Sequence, residues 1–587
     1  MATDDLSAIG TSAIRSLSSD ALAVLDSAQF NALSTAQFAV LTAAQAGAIN
    51  SAQTAGMTTN DIAALGTAAI AALTTNALSA FDSTQLPRLT TAQVVALTTD
   101  QISSLGSDDF NAFGTNQFAA LSATQAAAIT SAQSAAMTTD DLSALSTAAV
   151  RALTTDAIAA LDSTQLPRLT TTQVAALTTD QIANLTTADL NALGTNQISA
   201  LGSAQVAAIT TAQADAMATD DLAAIGTLAI KSLSSDALAV LDSAQFNALS
   251  TAQFAVLTAG QASAINSAQT AGMTTNDIAA LGTAAIAALT TNALAAFDST
   301  QLPRLTTAQV VALTTDQITS LDTADFNALG TNQFAALSAT QAAAISSTQS
   351  AAMTTDDLAA LSTAAVRALT TDALAALDST QLPRLTTTQV AAFSSEQVAN
   401  LTTADLNALS TAQFAAIGSA QMAAITTAQA DAMATDDLAA ISASAIKGLS
   451  SDALAVLDSA QFNALGTAQF AALTAAQAGA ITSAQTGFMT TNDLAALGTA
   501  AIAALTTLAL AALDSTQIPR LTTAQVVALT TDQFSTLGSD DLNALSTAQF
   551  ASITSAQAAA ITSAQADAMT TSDLAALSST AFRALSS

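Results

Sequence analysis

The stretch LTTAQVVALTTDQISSL, residues 89–105, contains two consecutive eight-residue units that begin at Leu89 and Leu97, and Leu105 begins a third. The same spacing continues along the whole chain. Every eighth residue from Met1 to Leu585 is apolar, without a change of frame in 587 residues. Such a regular repeat determines the fold before any single motif does. We call this unit the octad and number its positions one to eight from the apolar residue.

Each octad carries the signals of a helix start. Position two is Thr, Ser, Gly, Asp or Asn in nearly all octads, and these residues cap helix N-termini. Position five is Gln, Asp or Ala, so that Thr90 and Gln93 match the pattern of a capping box. Position six is mostly apolar, and Leu89 with Val94 matches a hydrophobic staple. The pattern predicts a capped helix of about six residues in every octad.

Other backbone conformations do not keep one face of the repeat buried. In a continuous helix, position one would advance by about 80° per octad, so the apolar stripe would wind around the axis. In a strand, positions one and six would lie on opposite faces. Short helices that turn a corner at each cap avoid both problems, but they are unstable alone. We therefore predict an all-α solenoid, or superhelix, with one very short capped helix per octad, stabilised by stacking.

A longer period lies over the octads. Residues 17–43 recur unchanged at 233–259, which is 27 octads further along the chain. We predict three sequence blocks, namely 1–216, 217–432 and a partial block at 433–587. Within them Met stands at position one at intervals of seven, ten and ten octads, at Met1, Met57, Met137, Met217, Met273, Met353, Met433, Met489 and Met569.

Proline occurs only at position seven, in the sequences TQLPRL and TQIPRL. A proline at this place breaks a short helix and disfavours the α conformation of the residue before it. We expect a special corner in these five octads. Alternatively, the prolines form a docking feature with the arginine that follows each of them. The residues concerned are Pro87, Pro167, Pro303, Pro383 and Pro519, followed by Arg88, Arg168, Arg304, Arg384 and Arg520.

The composition argues against several classes of function. The chain has no His, Cys, Tyr or Trp and a single Glu, so the usual acids, bases and nucleophile partners are nearly all missing. We expect no enzymatic activity and no cofactor. A net charge of −32 repels nucleic acids and anionic membrane surfaces. No apolar run approaches the roughly 20 residues that span a bilayer, so we expect no membrane insertion.

Pairs of adjacent Asp residues at positions four and five are the one candidate site. Carboxylates in a first helical turn are stabilised by the helix dipole, and this interpretation needs no ligand. The other interpretation is a calcium site, because Ca²⁺ prefers oxygen ligands and would offset the negative charge. The candidate residues are Asp4, Asp5, Asp108, Asp109, Asp140, Asp141, Asp220, Asp221, Asp356, Asp357, Asp436, Asp437, Asp540 and Asp541.

Octads such as LTTDQIANL (177–185) and LSTAQFAAI (409–417) are similar to the L-[ST]-x-x-Q-[VI]-x-A repeats of very long bacterial surface and secreted proteins, which are adhesin-like or filament-forming. The resemblance covers the chain and implies an extracellular or cell-surface location, although the N-terminus shows no signal peptide. We predict a structural protein that forms a filament, a surface layer or an adhesin stalk. The alternatives are a protein-binding solenoid scaffold and, as a minor one, an ice-binding protein with regularly spaced Thr pairs.

The two ends of the sequence predict self-association. Met1 has the same place in the long repeat as Met217 and Met433, and the last residues keep the apolar pattern of an interior octad at Leu577 and Leu585. Terminal units of solenoids normally have a polar outer face. We therefore expect either a longer polypeptide or head-to-tail stacking of copies into a fibre or lattice.

Overall fold

A computed structural model describes residues 2–585. Met1, whose place in the long repeat is part of the argument for self-association, lies outside the described residues, as do Ser586 and Ser587. Residues 2–585 form 66 α-helices and seven 3-10 helices and contain no strand. Every α-helix begins at position three of its octad and ends between positions six and eight, as in Thr91–Ala96, Thr99–Ser104 and Ala123–Ala126. The predicted all-α fold with one short helix per octad is confirmed, apart from the octads that form 3-10 helices.

The helix Thr91–Ala96 shows why the chain turns at each cap. Thr90 has an extended backbone and accepts a hydrogen bond at Oγ1 from the Gln93 N–H at 3.2 Å. Gln93 Oε1 in turn accepts the Thr90 N–H at 2.7 Å, which completes the capping box. The helix ends where Leu97 becomes extended again. Two extended residues thus separate successive helices, as the cap pattern predicts.

The core consists mainly of positions one and six. Leu89 and Val94 are both buried, as are their counterparts in almost every octad that the structure describes. Positions two to four are mostly exposed, so Thr, Ser and Asp cover the outside. The side chain at position five is buried as well in most octads, which the capping box alone does not require.

Helices stack at a separation of three octads. Ala43–Ala46 packs against Thr67–Ala72, and Ala475–Gly479 packs against Thr499–Ala504. The chain divides into two compact units, one ending at Ala296 and the other beginning at Phe297, and each unit is built in this way. Within each unit, stacking of successive layers makes an α-solenoid. The three sequence blocks stay a prediction, because this division into units does not test them.

The five proline octads form the special corners that the sequence predicts. In the first of them, Asp82 Oδ1 accepts hydrogen bonds from the Thr84 N–H at 2.8 Å, from Thr84 Oγ1 at 2.7 Å and from the Gln85 N–H at 3.0 Å. This Asx turn replaces the first helical turn. The 3-10 helices that follow are Leu86–Arg88, Leu166–Arg168, Leu302–Arg304, Leu382–Arg384 and Ile518–Arg520.

Two more 3-10 helices, Ile230–Ser232 and Ile446–Gly448, contain no proline. The sequence predicts α-helices there, so the prediction is wrong for these two octads. The corresponding octad of the first block forms the α-helix Thr11–Ser16, and nothing in the structure explains this difference.

Candidate functional site: the glutamine ladder and the methionine octads

The Gln at position five joins two layers of the solenoid. Gln93 is 2% exposed, and its Nε2 donates to the carbonyl oxygens of Ile62 at 2.7 Å and Leu65 at 2.8 Å. These two residues lie 31 and 28 positions earlier, at the C-terminus of the helix Thr59–Ala64. One side chain therefore closes the start of its own helix and also satisfies carbonyl groups at the end of a helix in the preceding layer.

The same bonds recur with the same register in both units. Gln45 Nε2 donates to the carbonyls of Ile14 and Leu17, and Gln469 Nε2 donates to those of Leu438 and Ile441. We call the set of position-five glutamines the glutamine ladder. A buried group that loses its hydrogen-bond partner costs about 1–3 kcal/mol. The ladder therefore contributes substantially to the stacking of layers.

The sequence pattern predicts the cap function of Gln93 but not its role between layers. A signal for this role is present. A capping box can have either Glu or Gln at the third helical residue, which is position five of the octad. Position five is nevertheless never Glu in this chain, and the single Glu396 stands at position four. An amide can accept from the cap and donate to a second layer at the same time, whereas an ionised carboxylate can only accept.

The ladder is interrupted at regular places. Each long interruption covers three octads, in which position five is Asp, Ala and Ala, as at Asp61, Ala69 and Ala77. The first octad of each long interruption begins with Met, and we call it a Met octad. We call the three octads together a gap run. The first three octads of the chain have the same pattern at position five. The complete gap runs that follow them are 57–80, 137–160, 217–240, 273–296, 353–376, 433–456 and 489–512.

A gap run removes one full layer of amide donors. A ladder Gln reaches a carbonyl 28 positions earlier, and the same register places residues 61, 69 and 77 opposite the carbonyls of Leu33, Leu41 and Ile49. Among residues 2–585, no hydrogen bond to these three carbonyl oxygens is found. Because packed helices are three octads apart, three octads without Gln extend over a whole layer.

Pairs of aromatic side chains fill the core beside five of the seven gap runs. The rings of Phe30 and Phe38 pack edge to face with centroids 5.2 Å apart, and Phe110 and Phe118 do so at 5.1 Å. These residues belong to the octads whose carbonyls face a gap run. An edge-to-face pair adds about 0.5–1.5 kcal/mol beyond its buried area. Apolar packing therefore takes the place of amide hydrogen bonds in this layer.

An Asn residue at position seven lies four octads before each Met octad from Met57 onward. Asn191 Nδ2 donates to the Ala216 carbonyl at 2.6 Å, and its Oδ1 accepts the Ala218 N–H at 3.2 Å. The side-chain oxygen of Asn191 thus accepts the hydrogen bond from the cap N–H of Ala218, whereas in other octads a position-five Gln accepts the bond from the cap N–H. The residues of this set are Asn31, Asn111, Asn191, Asn247, Asn327, Asn407, Asn463 and Asn543.

The Asp at position five of a Met octad receives a varying number of hydroxyl donors. Asp61 accepts hydrogen bonds from Oγ1 of both Thr58 and Thr35. For Asp141, Thr138 is the only hydroxyl donor found among the described residues, and burial raises the pKa of its carboxyl. The number of hydroxyl groups that donate to the position-five Asp therefore differs between otherwise similar Met octads.

Among residues 2–585, no hydroxyl group is found to donate to Asp221 or Asp437, and Ala218 and Ala434 at their caps have none to offer. Burial raises the pKa of both carboxyls, and for Asp437 the pKa reaches about 6. A cap hydroxyl therefore offsets part of the rise in pKa that burial causes, and an Ala cap does not.

The predicted calcium residues do not act as equivalent pairs. The position-four member of each pair is exposed, whereas the position-five member is buried in four of the pairs. These buried members are Asp141, Asp221, Asp357 and Asp437; Asp109 and Asp541 are partly exposed, and Asp5 is exposed. Adjacent helical residues do not face each other. No group of three or more carboxylates that could hold a metal is found in residues 2–585. Calcium binding stays a prediction.

Thirteen segments of the chain match the ALTTAQ repeat, and together they cover well over half of it. The chain belongs to the ALTTAQ repeat family. This confirms that it is a repeat protein. The matched segments are 1–35, 55–91, 103–139, 135–171, 183–219, 214–251, 271–307, 318–355, 351–387, 399–435, 430–467, 487–523 and 534–571. A search among curated proteins found no match.

The Met octads set the phase of the ALTTAQ repeats. Seven of the matched segments begin two or three residues before a position-one Met, and five others end two residues after one. Each segment is slightly longer than the 28 to 31 residues that a ladder Gln bridges. An ALTTAQ repeat therefore corresponds to about one layer with its connection to the next. No helix in the described part of the chain is long and apolar enough to cross a membrane.

Proposed function

We propose that this ALTTAQ repeat chain is a structural protein that forms an extracellular filament, a surface layer or an adhesin stalk. The glutamine ladder carries this proposal. Its hydrogen bonds join successive layers at the same register in both units, as at Gln93 and Gln469. Such a series of equal bonds suits a protein that must keep its form along its length, since stability in a solenoid is the sum of unit and interface contributions.

The surface supports a location outside the cell. Exposed Thr, Ser and Asp residues cover positions two to four, and the net charge of −32 keeps such a surface hydrated. The similarity of the octads to those of bacterial surface and secreted proteins agrees with this location. We propose no catalytic role, because position-two hydroxyls such as Thr90 Oγ1 are engaged as helix caps.

Self-association is part of the proposal and can be tested directly. Light scattering and electron microscopy of the purified chain over a range of concentrations should show fibres or a lattice. A stable monodisperse monomer at every concentration would contradict the filament and the surface layer and leave only the stalk.

Two related grooves favour the second candidate, a protein-binding scaffold. The first groove has a volume of about 410 Å³ and is lined by Arg151, Thr178 and Ser203, among others. Its counterpart, of about 340 Å³, is lined by Arg367 and Ser419. One Arg guanidinium among hydroxyl groups can bind a single carboxylate of a partner protein, whereas the net charge of −32 disfavours a polyanion. Titration with a fluorescent short peptide whose C-terminus is its single carboxylate tests this function, and replacement of both Arg residues by Ala should then remove binding.

Ice binding stays a minor prediction. Position-two hydroxyls take part in caps, so only those at position three, such as Thr91, are available for a regular surface array. Thermal hysteresis of the purified chain is the measurement for this alternative.

A further inference from the structure

In the part of the chain that the structure describes, no hydrogen-bond donor is found for the buried Asp of the Met octads 217–224 and 433–440. Asp221 and Asp437 are each 5% exposed. Ala218 and Ala434 have no hydroxyl group, and their backbone N–H groups donate to Oδ1 of Asn191 and Asn407. A carboxyl at this place thus receives neither of the donors that a helix cap normally supplies.

The register of the ladder indicates which carbonyls of the preceding layer lie opposite these carboxyls. A Gln at position five donates to the position-one carbonyl 28 positions earlier, as Gln93 does to Leu65. For Asp221 and Asp437 the equivalent carbonyls belong to Leu193 and Leu409. No hydrogen bond to either carbonyl is found in residues 2–585. An ionised carboxylate only accepts hydrogen bonds, whereas a neutral carboxyl has one O–H to donate.

We propose that Asp221 and Asp437 are proton-binding groups whose neutral carboxyls donate to the Leu193 and Leu409 carbonyls, so that two layers of the solenoid close on mild acidification. Each protonated Asp supplies the missing interlayer donor in its own octad. Deprotonation removes that donor and leaves a buried negative charge in the layer.

Within residues 2–585, the helices that pack against the helix of Asp437 carry no basic group that would favour the charged form. The helices packed against Thr435–Ala440 are Thr411–Ala415 and Ser459–Ala464, and neither contains a titratable side chain. The only carboxyl at their ends is the cap residue Asp458. On its own helix, the charge of Asp436 adds to the effect of burial and raises the pKa of Asp437 further.

Asp221 has an equivalent environment. Its helix, Thr219–Ala224, packs against Thr195–Ser199 and Ser243–Asn247, which contain no titratable side chain, and Asp242 caps the second of them. Burial raises the pKa of Asp221, and the charge of Asp220 on the same helix adds to the rise.

The sign of the pH dependence follows from the raised pKa. The folded chain binds protons that the unfolded chain has already released, between the ordinary Asp value of 3.8 and a value of about 6 for Asp437. Stability therefore falls as the pH rises through this window and becomes constant above it.

The test uses the full chain and substitutes both sites together. In the parent chain, Tm should be higher at pH 5 than at pH 7.5. The double variant Asp221→Asn, Asp437→Asn should lose part of this difference, because Asn donates a hydrogen bond at every pH. The variant Ala218→Thr, Ala434→Thr should move the transition to lower pH, because a cap hydroxyl stabilises the carboxylate. The control Asp220→Asn, Asp436→Asn should keep the pH dependence and shift its midpoint only slightly.

Infrared spectroscopy supplies a measurement that does not depend on the stability of any variant. The folded parent chain should show the C=O band of a protonated carboxyl at pH 5 that disappears by pH 7.5 and is weaker in the Asn double variant. An unchanged band and an unchanged pH dependence of Tm in that variant would overturn the proposal. A rise of Tm at pH 7.5 on adding calcium chloride, seen in the parent chain and absent in the Asn variant, would overturn it in favour of a metal ion.

Discussion

Residues 89–104 and the gap run 57–80 have the same octad framework but different connections between layers. Both have buried apolar residues at positions one and six and helices that begin at position three. In residues 89–104, Gln93 and Gln101 donate to carbonyls of the preceding layer, whereas Asp61, Ala69 and Ala77 of the gap run offer no amide. Positions one, two and six therefore specify the fold, and position five determines how firmly neighbouring layers are joined.

This difference predicts uneven local stability. A solenoid opens first at the interface with the smallest stabilisation, because each layer contacts only its neighbours. Five of the seven gap runs have ring pairs such as Phe30–Phe38 beside them, and the others are held by aliphatic packing and buried Ala side chains. They are the expected sites of bending and local unfolding.

The largest effect is expected when a ladder amide is made ionic. Gln93→Glu keeps the bond to the Thr90 N–H, but it places a buried negative oxygen against the carbonyls of Ile62 and Leu65. We expect a loss of about 3–5 kcal/mol at pH 7, as for other uncompensated buried charges. Urea unfolding measures this loss. Ala92→Glu, which adds the same charge at an exposed neighbouring residue, is the control and should change stability by less than about 0.5 kcal/mol.

Making a gap run resemble the ladder should have the opposite effect. Asp141→Gln introduces an amide opposite the carbonyls of Phe110 and Phe113 and removes a carboxyl whose pKa is raised by burial. We expect a gain of about 1–2 kcal/mol at pH 7.5. Asp61→Gln should gain less, because two hydroxyl groups already donate to Asp61. Equal gains at the two positions in chemical denaturation would contradict the role of these donors.

Helix caps stabilise the ladder octads and the gap runs alike, so the stability lost on removing one cap should be the same in both regions. Thr90→Ala removes the acceptor for the Gln93 N–H and should cost about 1 kcal/mol, whereas Thr90→Gly should cost only a few tenths. Replacement of the cap in many octads should unfold the array. Unchanged circular dichroism after such a multiple replacement would show that the position-two residues do not stabilise the helices as caps.

The smallest effect is expected at the Asx turns of the proline octads. The side-chain hydrogen bond from Thr84, followed by the one from its backbone, lowers the pKa of Asp82. The stability that this carboxylate contributes is present above the ordinary Asp pKa and is lost as the pH falls through the lowered one. Asp82→Ala should therefore reduce the loss of Tm on acidification below about pH 4. An identical acid transition in the variant and the parent chain would show that the turn does not favour the charged form.

The sequence predicts the octad framework well because this framework depends on interactions between residues that are close in sequence. Leu89, Thr90 and Val94 form one cap and one staple within six residues, so an eight-residue period contains all the information for each helix. The exposure of Asp436 also follows from this phase, but the burial of Asp437 does not, because Asp109 and Asp541 stand at the same position and are partly exposed.

The connections between layers are harder to predict because they depend on the length of a superhelical turn. Asn191 meets Ala218 only because 27 residues bring the chain back to the same side, and the octad period alone does not give that number. The second role of Gln93 has the same origin. The absence of Glu at position five hints at it, but the carbonyl partners require the structure.

Hydrogen exchange of the cap amides tests most directly whether the ladder joins the layers. The N–H groups of Thr90 and Thr98 donate to Gln93 and Gln101, whereas no acceptor for those of Thr58 and Gly66 is found among the described residues. In the full chain at pH 7, the first two amides should exchange at least about tenfold more slowly than the other two, as expected for a difference of about 1.4 kcal/mol. Equal protection of all four amides would contradict the ladder as the element that joins the layers.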